Sequence, residues 1–148
     1  MTRLHAFLRR HARVALDTNV LIYELEGNPR YSALTHIIFD WIEQPGHSAV
    51  TSTVTMTELL VYPYREGDEE TVNAVYANLV SFPNLEWIPP GLEIADLAAS
   101  LRAQHRLRTP DALQAATAIS ARATALITND AAFRRVEVIE TLLLDEIL

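Results

Sequence analysis

Two hydrophobic periods alternate along this chain. Short runs at residues 13–17, 48–51, 85–88, 125–128 and 136–139 are apolar enough, and bounded closely enough by turn residues, to read as strands. Between them the apolar positions recur at helical spacing. Residues 19–26 form a short helix closed by Gly27. Tyr31, Leu34, Ile38, Trp41 and Ile42 mark an amphipathic helix stopped by Pro45-Gly46. A helix through Glu58 is expected to end near Tyr62-Pro63, because proline disfavours continuation. Residues 69–82 make another helix, ended by Pro83-Asn84. Leu92, Ala95, Leu97, Ala98 and Leu101 give a further helical face, and residues 110–121 an alanine-dense helix of high intrinsic propensity. The ending, 141–148, is apolar around Asp145-Glu146 and is expected to fold back on the domain or meet a partner. Strand and helix in alternation predict an α/β three-layer sandwich: a central, mainly parallel sheet of about five strands with helices on both faces.

The first twelve residues stand apart. Leu4, Phe7 and Leu8 fit one helical face, yet the segment is rich in arginine and has no acid. Its apolar stretch, Ala6-Phe7-Leu8, is too short for a secretory signal. Residues 1–12 are therefore expected as a frayed N-terminal extension to a single domain spanning 13–148. A chain of 148 residues, 49% apolar and 21% charged, suits one such domain with a substantial core.

Composition removes several chemistries. Without cysteine there is no disulfide framework, thiolate zinc site or cysteine nucleophile, which is compatible with a cytoplasmic location. Without lysine, Walker-type phosphate loops and Schiff-base chemistry fall away. None of the four glycines forms a dinucleotide fingerprint, and no Gly-x-Ser-x-Gly elbow occurs. The five histidines lack zincin spacing. No apolar run approaches the roughly 20 residues that cross a membrane.

Four acids stand where the chain enters helices: Asp17, Glu58, Asp111 and Asp130. Asp17 and Asp130 follow strand-like runs, and the ends of parallel strands are where open α/β sheets bind ligands. Each also has an ordinary structural reading. Asp17 and Asp130 can cap helices. Glu58 follows Thr55 at capping-box spacing, and Asp111 follows Thr109 as N-cap and Pro110 at the first helical position. Brought into one cleft, four carboxylates would repel unless protons or a hard divalent cation intervened.

The strings around these acids are more specific. Leu16-Asp17-Thr18-Asn19-Val20-Leu21-Ile22, Thr55 to Leu60, Thr109-Pro110-Asp111-Ala112-Leu113-Gln114-Ala115-Ala116 and Ile127-Thr128-Asn129-Asp130 resemble, in order, the motifs of a PIN domain. The chain looks in particular like the single-domain VapC-type ribonuclease toxins of toxin–antitoxin pairs. That resemblance runs from Arg13 onward and all four acidic positions are intact. It implies a magnesium- or manganese-dependent endoribonuclease, an RNA substrate, a small antitoxin protein covering the cleft, and a homodimer away from any membrane. Asp17, Asp111 and Asp130 are the metal candidates, Glu58 the group that orients or deprotonates the attacking water, and Asn19 and Thr128 the groups that hold the carboxylates.

Charge qualifies the RNA expectation. Formal net charge is −7, from 19 acids and 12 arginines, and without the first thirteen residues eight arginines face the same 19 acids. Phosphate neutralisation usually dominates nucleic-acid affinity, so an acidic body is an awkward binder. The arginines are uneven, however: Arg102, Arg106 and Arg108 precede Asp111, while Arg134 and Arg135 follow Asp130. Trp87 reads as core, and Tyr62 and Tyr64 as exposed at a helix end. Three other readings stay open: a PIN nuclease of RNA processing that is no toxin, a non-catalytic PIN fold, and an acidic-site phosphatase. The last lacks the second aspartate of a nucleophile loop, since Asn19 stands there.

Overall fold

A computed structural model of the chain describes residues 2–148. Five strands, β1 (Arg13–Leu16), β2 (Ser48–Ser52), β3 (Leu85–Ile88), β4 (Ala125–Thr128) and β5 (Glu140–Leu143), form one sheet in the order β3-β2-β1-β4-β5. Every pairing is parallel. Seven α-helices surround it: α1 (Thr2–Leu8), α2 (Thr18–Glu26), α3 (Ser32–Glu43), α4 (Val54–Arg65), α5 (Glu69–Val75), α6 (Leu92–His105) and α7 (Thr109–Ser120).

Side-chain alternation along the strands divides the core in two. Val14, Leu16, Ala49, Ala125 and Ile127 pack into one layer with α1, α2, α3, α4 and α5. Ala15, Val50 and Leu126 point the other way, into a layer built from α6 and α7. Ala112, Ala115, Ala116 and Ala118 are fully buried there, and such small residues let α7 lie close to the sheet. The three-layer α/β sandwich is the architecture the alternation predicts.

Four local expectations need correction. The N-terminal segment is not frayed: Leu4, Phe7 and Leu8 of α1 are buried in the first core layer. Helix α4 continues through Pro63 to Arg65. Pro63 lies in the last turn, where its missing N–H removes a single bond, and Glu66 N–H still reaches the Tyr62 carbonyl at 3.0 Å. The stretch 69–82 is α5 followed by a π-helical turn at Tyr76–Val80. The fifth strand is Glu140–Leu143, not 136–139. Val136 and Ile139 are buried within the connection while Val138 is 79% exposed. The chain needs the 3-10 turn Ala131–Arg135 to cross over, so the ladder with β4 is met four residues later, at Ala125 opposite Glu140.

Candidate functional site

The strand order reverses direction at β1. From there the chain steps to β2 and β3 on one side, then crosses to β4 and β5 on the other. The crevice beyond the carboxyl ends of β1 and β4 is thus the switch point of an open α/β sheet. Asp17 directly follows β1, and Asp130 lies two residues past β4. The start of α7 supplies Asp111, and α4 brings Glu58.

Asp17 caps α2, its Oδ1 accepting the Thr18 amide N–H at 2.8 Å. Its Oδ2 accepts the Thr128 hydroxyl at 2.7 Å. The Thr128 oxygen in turn accepts the Asp130 amide N–H at 3.0 Å, and Asp130 Oδ1 accepts the Ala132 N–H at 2.9 Å, capping the 3-10 turn. The capping readings of Asp17 and Asp130 are therefore correct as far as they go. The capping box at Thr55 and Glu58 is not formed. Helix α4 begins after Thr53, and Glu58 instead accepts the Thr18 hydroxyl at 2.7 Å. Helix α7 starts at Thr109, with Arg108 as its N-cap residue and no side-chain cap.

The electrostatics are unbalanced. Asp17 is 7% and Asp111 8% exposed. Burial pushes the Asp17 carboxyl up from an ordinary 3.8 to about 6, against the pull of its hydrogen bonds from Thr128 and Thr18, and the Asp111 and Glu58 charges add to the rise. The cation that touches the cluster is Arg108, whose Nε lies 3.2 Å from Asp111 Oδ2. Its guanidinium is held above its ordinary value by that hydrogen bond and by the charges of Asp111, Asp130 and Glu58. Asp111 and Glu58 thus act on Asp17, and they act with Asp130 on Arg108. Arg108 is mostly exposed, so it compensates the buried charge weakly.

Among the described residues, no three His, Asp or Glu side chains stand close enough to enclose a metal by themselves. The donor set is all oxygen, partly desolvated and short of positive charge, and so fits a hard divalent cation.

Around Glu58 lies a polar network that sequence reasoning did not single out. Thr51 donates to the Leu16 carbonyl at 3.0 Å and lies 2.9 Å from Thr55 Oγ1. Gln114 donates to the Thr55 hydroxyl, its Nε2 stands 3.5 Å from Thr18 Oγ1, and its Oε1 accepts the Ser52 N–H at 3.3 Å. Each hydroxyl has one proton, so one assignment satisfies all of them. Thr51 donates to Leu16, Thr55 to Thr51, and Thr18 to Glu58. Gln114 follows Asp111 by three residues and shares its helical face; with Thr117 it interrupts an otherwise alanine-rich buried stripe, and that was the available signal.

The other expected site residues fall less neatly. Asn19 is exposed and hydrogen-bonds none of the acids, whereas Thr128 does. Asn129 donates to the Tyr23 hydroxyl at 3.2 Å and accepts the Asp145 N–H at 2.8 Å, tying the strand end to the C-terminal turn. Of the apolar residues around α2 and α3, Leu34 is core and Tyr23 and Tyr31 stack on each other, centroids 4.1 Å apart. Tyr62 and Tyr64 are exposed, as expected. No helix among the described residues is long and apolar enough to cross a membrane.

Comparison with known proteins places the fold. A match to the PIN domain family runs over residues 14–139, and the chain belongs to that family. No curated protein matches it significantly. Among solved structures, a DNA-bound VapBC from Salmonella typhimurium is 19% identical with a TM-score of 0.70, covering 89% of this chain and 98% of that one. VapBC-1 from nontypeable Haemophilus influenzae is 24% identical with a TM-score of 0.66, covering 90% and 98%. The Mycobacterium tuberculosis toxin VapC20, described as cleaving the sarcin-ricin loop, is 14% identical with a TM-score of 0.59, covering 76% and 86%. At these identities the likeness is one of fold.

Proposed function

We propose that this PIN domain is a divalent-metal-dependent endoribonuclease that hydrolyses RNA phosphodiester bonds, and that it is the toxin of a toxin–antitoxin pair. One observation carries the reading. A buried aspartate with its carboxyl pushed up to about 6 faces two further carboxylates at the sheet's switch point. That excess of negative charge in a buried oxygen-lined site favours a bound cation, and a cation favours a phosphate.

In this reading Asp17 and Asp111 are the principal ligands of a magnesium or manganese ion, and Asp130 a direct or water-mediated one. A bound divalent ion lowers the pKa of its water and offsets charge developing on the phosphate. Thr128 fixes one oxygen of Asp17 and the backbone of Asp130 together, so the two carboxylates keep a set relation. Thr18 holds Glu58 at the mouth of the site, where it is exposed enough to orient the attacking water and take its proton. Gln114 Nε2 donates to the Thr18 hydroxyl oxygen in turn.

The antitoxin reading has separate support. Beside Glu58 lies a cavity of about 480 Å³ walled by Ile22, Leu25, Leu59 and Tyr62, with Glu26 and Asp68 on its rim. A protein tail with apolar anchors and an arginine matches both its surface and its charge. Proteins of the same fold come from VapBC complexes.

The test is incubation of the purified protein with structured RNA and with a generic phosphate monoester, with and without magnesium or manganese, alongside Asp17→Asn and Asp111→Asn. Metal-dependent RNA cleavage lost in both variants is the expected result. Wild-type rates in both variants would remove the site assignment; monoester hydrolysis without RNA cleavage would make the protein a phosphatase. Co-expression with the product of an adjacent small gene addresses the antitoxin, which must co-purify and suppress cleavage.

A further inference from the structure

From Leu97 to Pro110 this acidic protein has no acid, but it has Arg102, Arg106, Arg108 and His105. The segment is the end of α6 and its turn into α7. The 3-10 turn after Asp130, also free of acid, packs against it: Arg135 Nη1 donates to the carbonyls of His105 and Arg106 at 3.3 and 3.4 Å. Arg102 braces the turn from within, donating to the Leu107 carbonyl at 2.8 Å and to Thr109 Oγ1 at 3.0 Å. Gln104, His105, Arg106 and Arg135 wall a cavity of about 400 Å³. Arg106 and Arg135 are among the arginines that pair with no carboxylate among the described residues, unlike Arg10, Arg13, Arg30, Arg108 and Arg134.

Arg106 also occupies an uncommon backbone position. It caps α6 in the left-handed region at φ 57°, with its N–H bonded to the Arg102 carbonyl at 2.9 Å. Glycine fills that position more cheaply, since an L side chain is strained there. Arg122 adopts the same conformation at φ 63°, so what points to a ligand is the place of the Arg106 guanidinium beside Arg135 in one cavity.

The patch is continuous with the acidic cluster. Arg108 reaches Asp111 from one end of the turn, and Arg135 lies five residues after Asp130 on the other flank. A polyanion approaching four carboxylates needs local positive charge, and this is the run beside the site that supplies it. We propose that the cavity walled by Gln104, His105, Arg106 and Arg135 is a phosphate subsite that holds the RNA backbone beside the scissile bond. The proposal rests on the nuclease reading for its ligand. Arg106 and Arg135 bind the phosphate oxygens directly, and Arg102 is a positioning residue that fixes the turn.

The test is binding of a fluorescein-labelled oligouridylate to the full chain in EDTA, by anisotropy over a salt series, with metal-dependent RNA cleavage measured in parallel. Arg135→Gln and Arg106→Gly are the test variants, the latter removing the guanidinium while relaxing the strained cap, so that its melting temperature holds or rises. Each should weaken binding and reduce the slope of log K against log salt by about 0.7, the single-strand value for one phosphate contact. Each should also raise KM with kcat little changed. Arg65→Gln, on an unpaired arginine at the end of α4, should leave the slope as it is.

Unchanged slopes in both variants of a protein that still cleaves RNA would overturn the subsite and leave the nuclease standing. Slopes that fall in a protein that never cleaves would support the subsite and sink the nuclease. No binding and no cleavage would sink both. A polyglutamate peptide that binds as tightly and loses as much in both variants would make the patch a general anion surface and overturn its assignment to RNA.

Discussion

Thr128 and Asp17 are joined across the seam between β4 and β1: the threonine hydroxyl donates to Asp17 Oδ2 at 2.7 Å and accepts the Asp130 N–H at 3.0 Å. One buried oxygen thus fixes two of the candidate ligands. Thr128→Val keeps the shape but leaves a buried carboxylate oxygen and an amide each short of a partner. Urea unfolding should register a loss of about 1–3 kcal/mol, and RNA cleavage should fall about 10–100-fold. Thr128→Ser, which keeps the hydroxyl, should recover most of both. A valine variant with wild-type cleavage would mean that the seam does not position the site.

Asp17 makes the metal-free protein sensitive to pH in an unusual direction. Its native value of about 6 lies above the ordinary 3.8, so between the two the folded chain binds more protons than the unfolded one. Stability from this group is therefore full below about 3.8, falls as pH rises through the interval, and is lost above about 6. The swing is of order 3 kcal/mol. Urea midpoints in EDTA should show this fall in the wild type, and the difference between wild type and Asp17→Asn should isolate it from other carboxylates. An identical pH dependence in the two proteins would refute the burial argument.

Metal should reverse that cost. A site that exists only in the native chain stabilises it by mass action, roughly 2.7 kcal/mol at one hundred times the dissociation constant. Titrating magnesium or manganese should raise the melting temperature of the wild type but not of Asp17→Asn or Asp111→Asn. Calcium should raise it too, with its looser geometry, without supporting cleavage. An unmoved melting temperature at millimolar metal would count against a site built by this protein alone.

The sandwich was legible because strand and helix periods differ and every buried strand sits between turn residues. Asp17, Asp111 and Asp130 stand at a helix start or just past a strand end, positions that local sequence fixes, whereas Glu58 lies one turn inside α4. What escaped depends on contacts far apart in the chain. Gln114 meets Thr55 and Ser52 across 59 and 62 residues, and no local pattern records that. The fifth strand slipped because 136–139 and 140–143 carry equally suitable side chains, and only the reach of the turn after Asp130 selects the second. Asn19 looked like a holding group from its place in the motif, yet its side chain leaves the helix toward solvent.

The N-terminal helix gives the sharpest test of the core. Residues 1–12 read as an extension because the PIN resemblance begins only at Arg13 and the segment is rich in arginine, although Leu4, Phe7 and Leu8 share one helical face. Leu4 and Leu8 are nevertheless almost wholly buried and Phe7 nearly so, in the same layer as Leu144 and Ile147 of the chain's other end. The arginines lie on the outer side. Arg3 donates to the Glu146 carbonyl at 2.6 Å, Arg10 pairs with Glu140, and His11 bridges Thr124 and Glu140 at 2.7 and 3.0 Å. Exposed pairs of this kind contribute little individually, about 0–1 kcal/mol. The buried leucines should dominate. Leu4→Ala or Leu8→Ala should each cost about 2–5 kcal/mol in urea unfolding, while Arg3→Ala or Arg10→Ala should cost no more than about 1 kcal/mol. Losses below about 0.5 kcal/mol for both leucine variants, the scale of ordinary surface substitutions, would show that α1 is undocked in solution and restore the frayed extension.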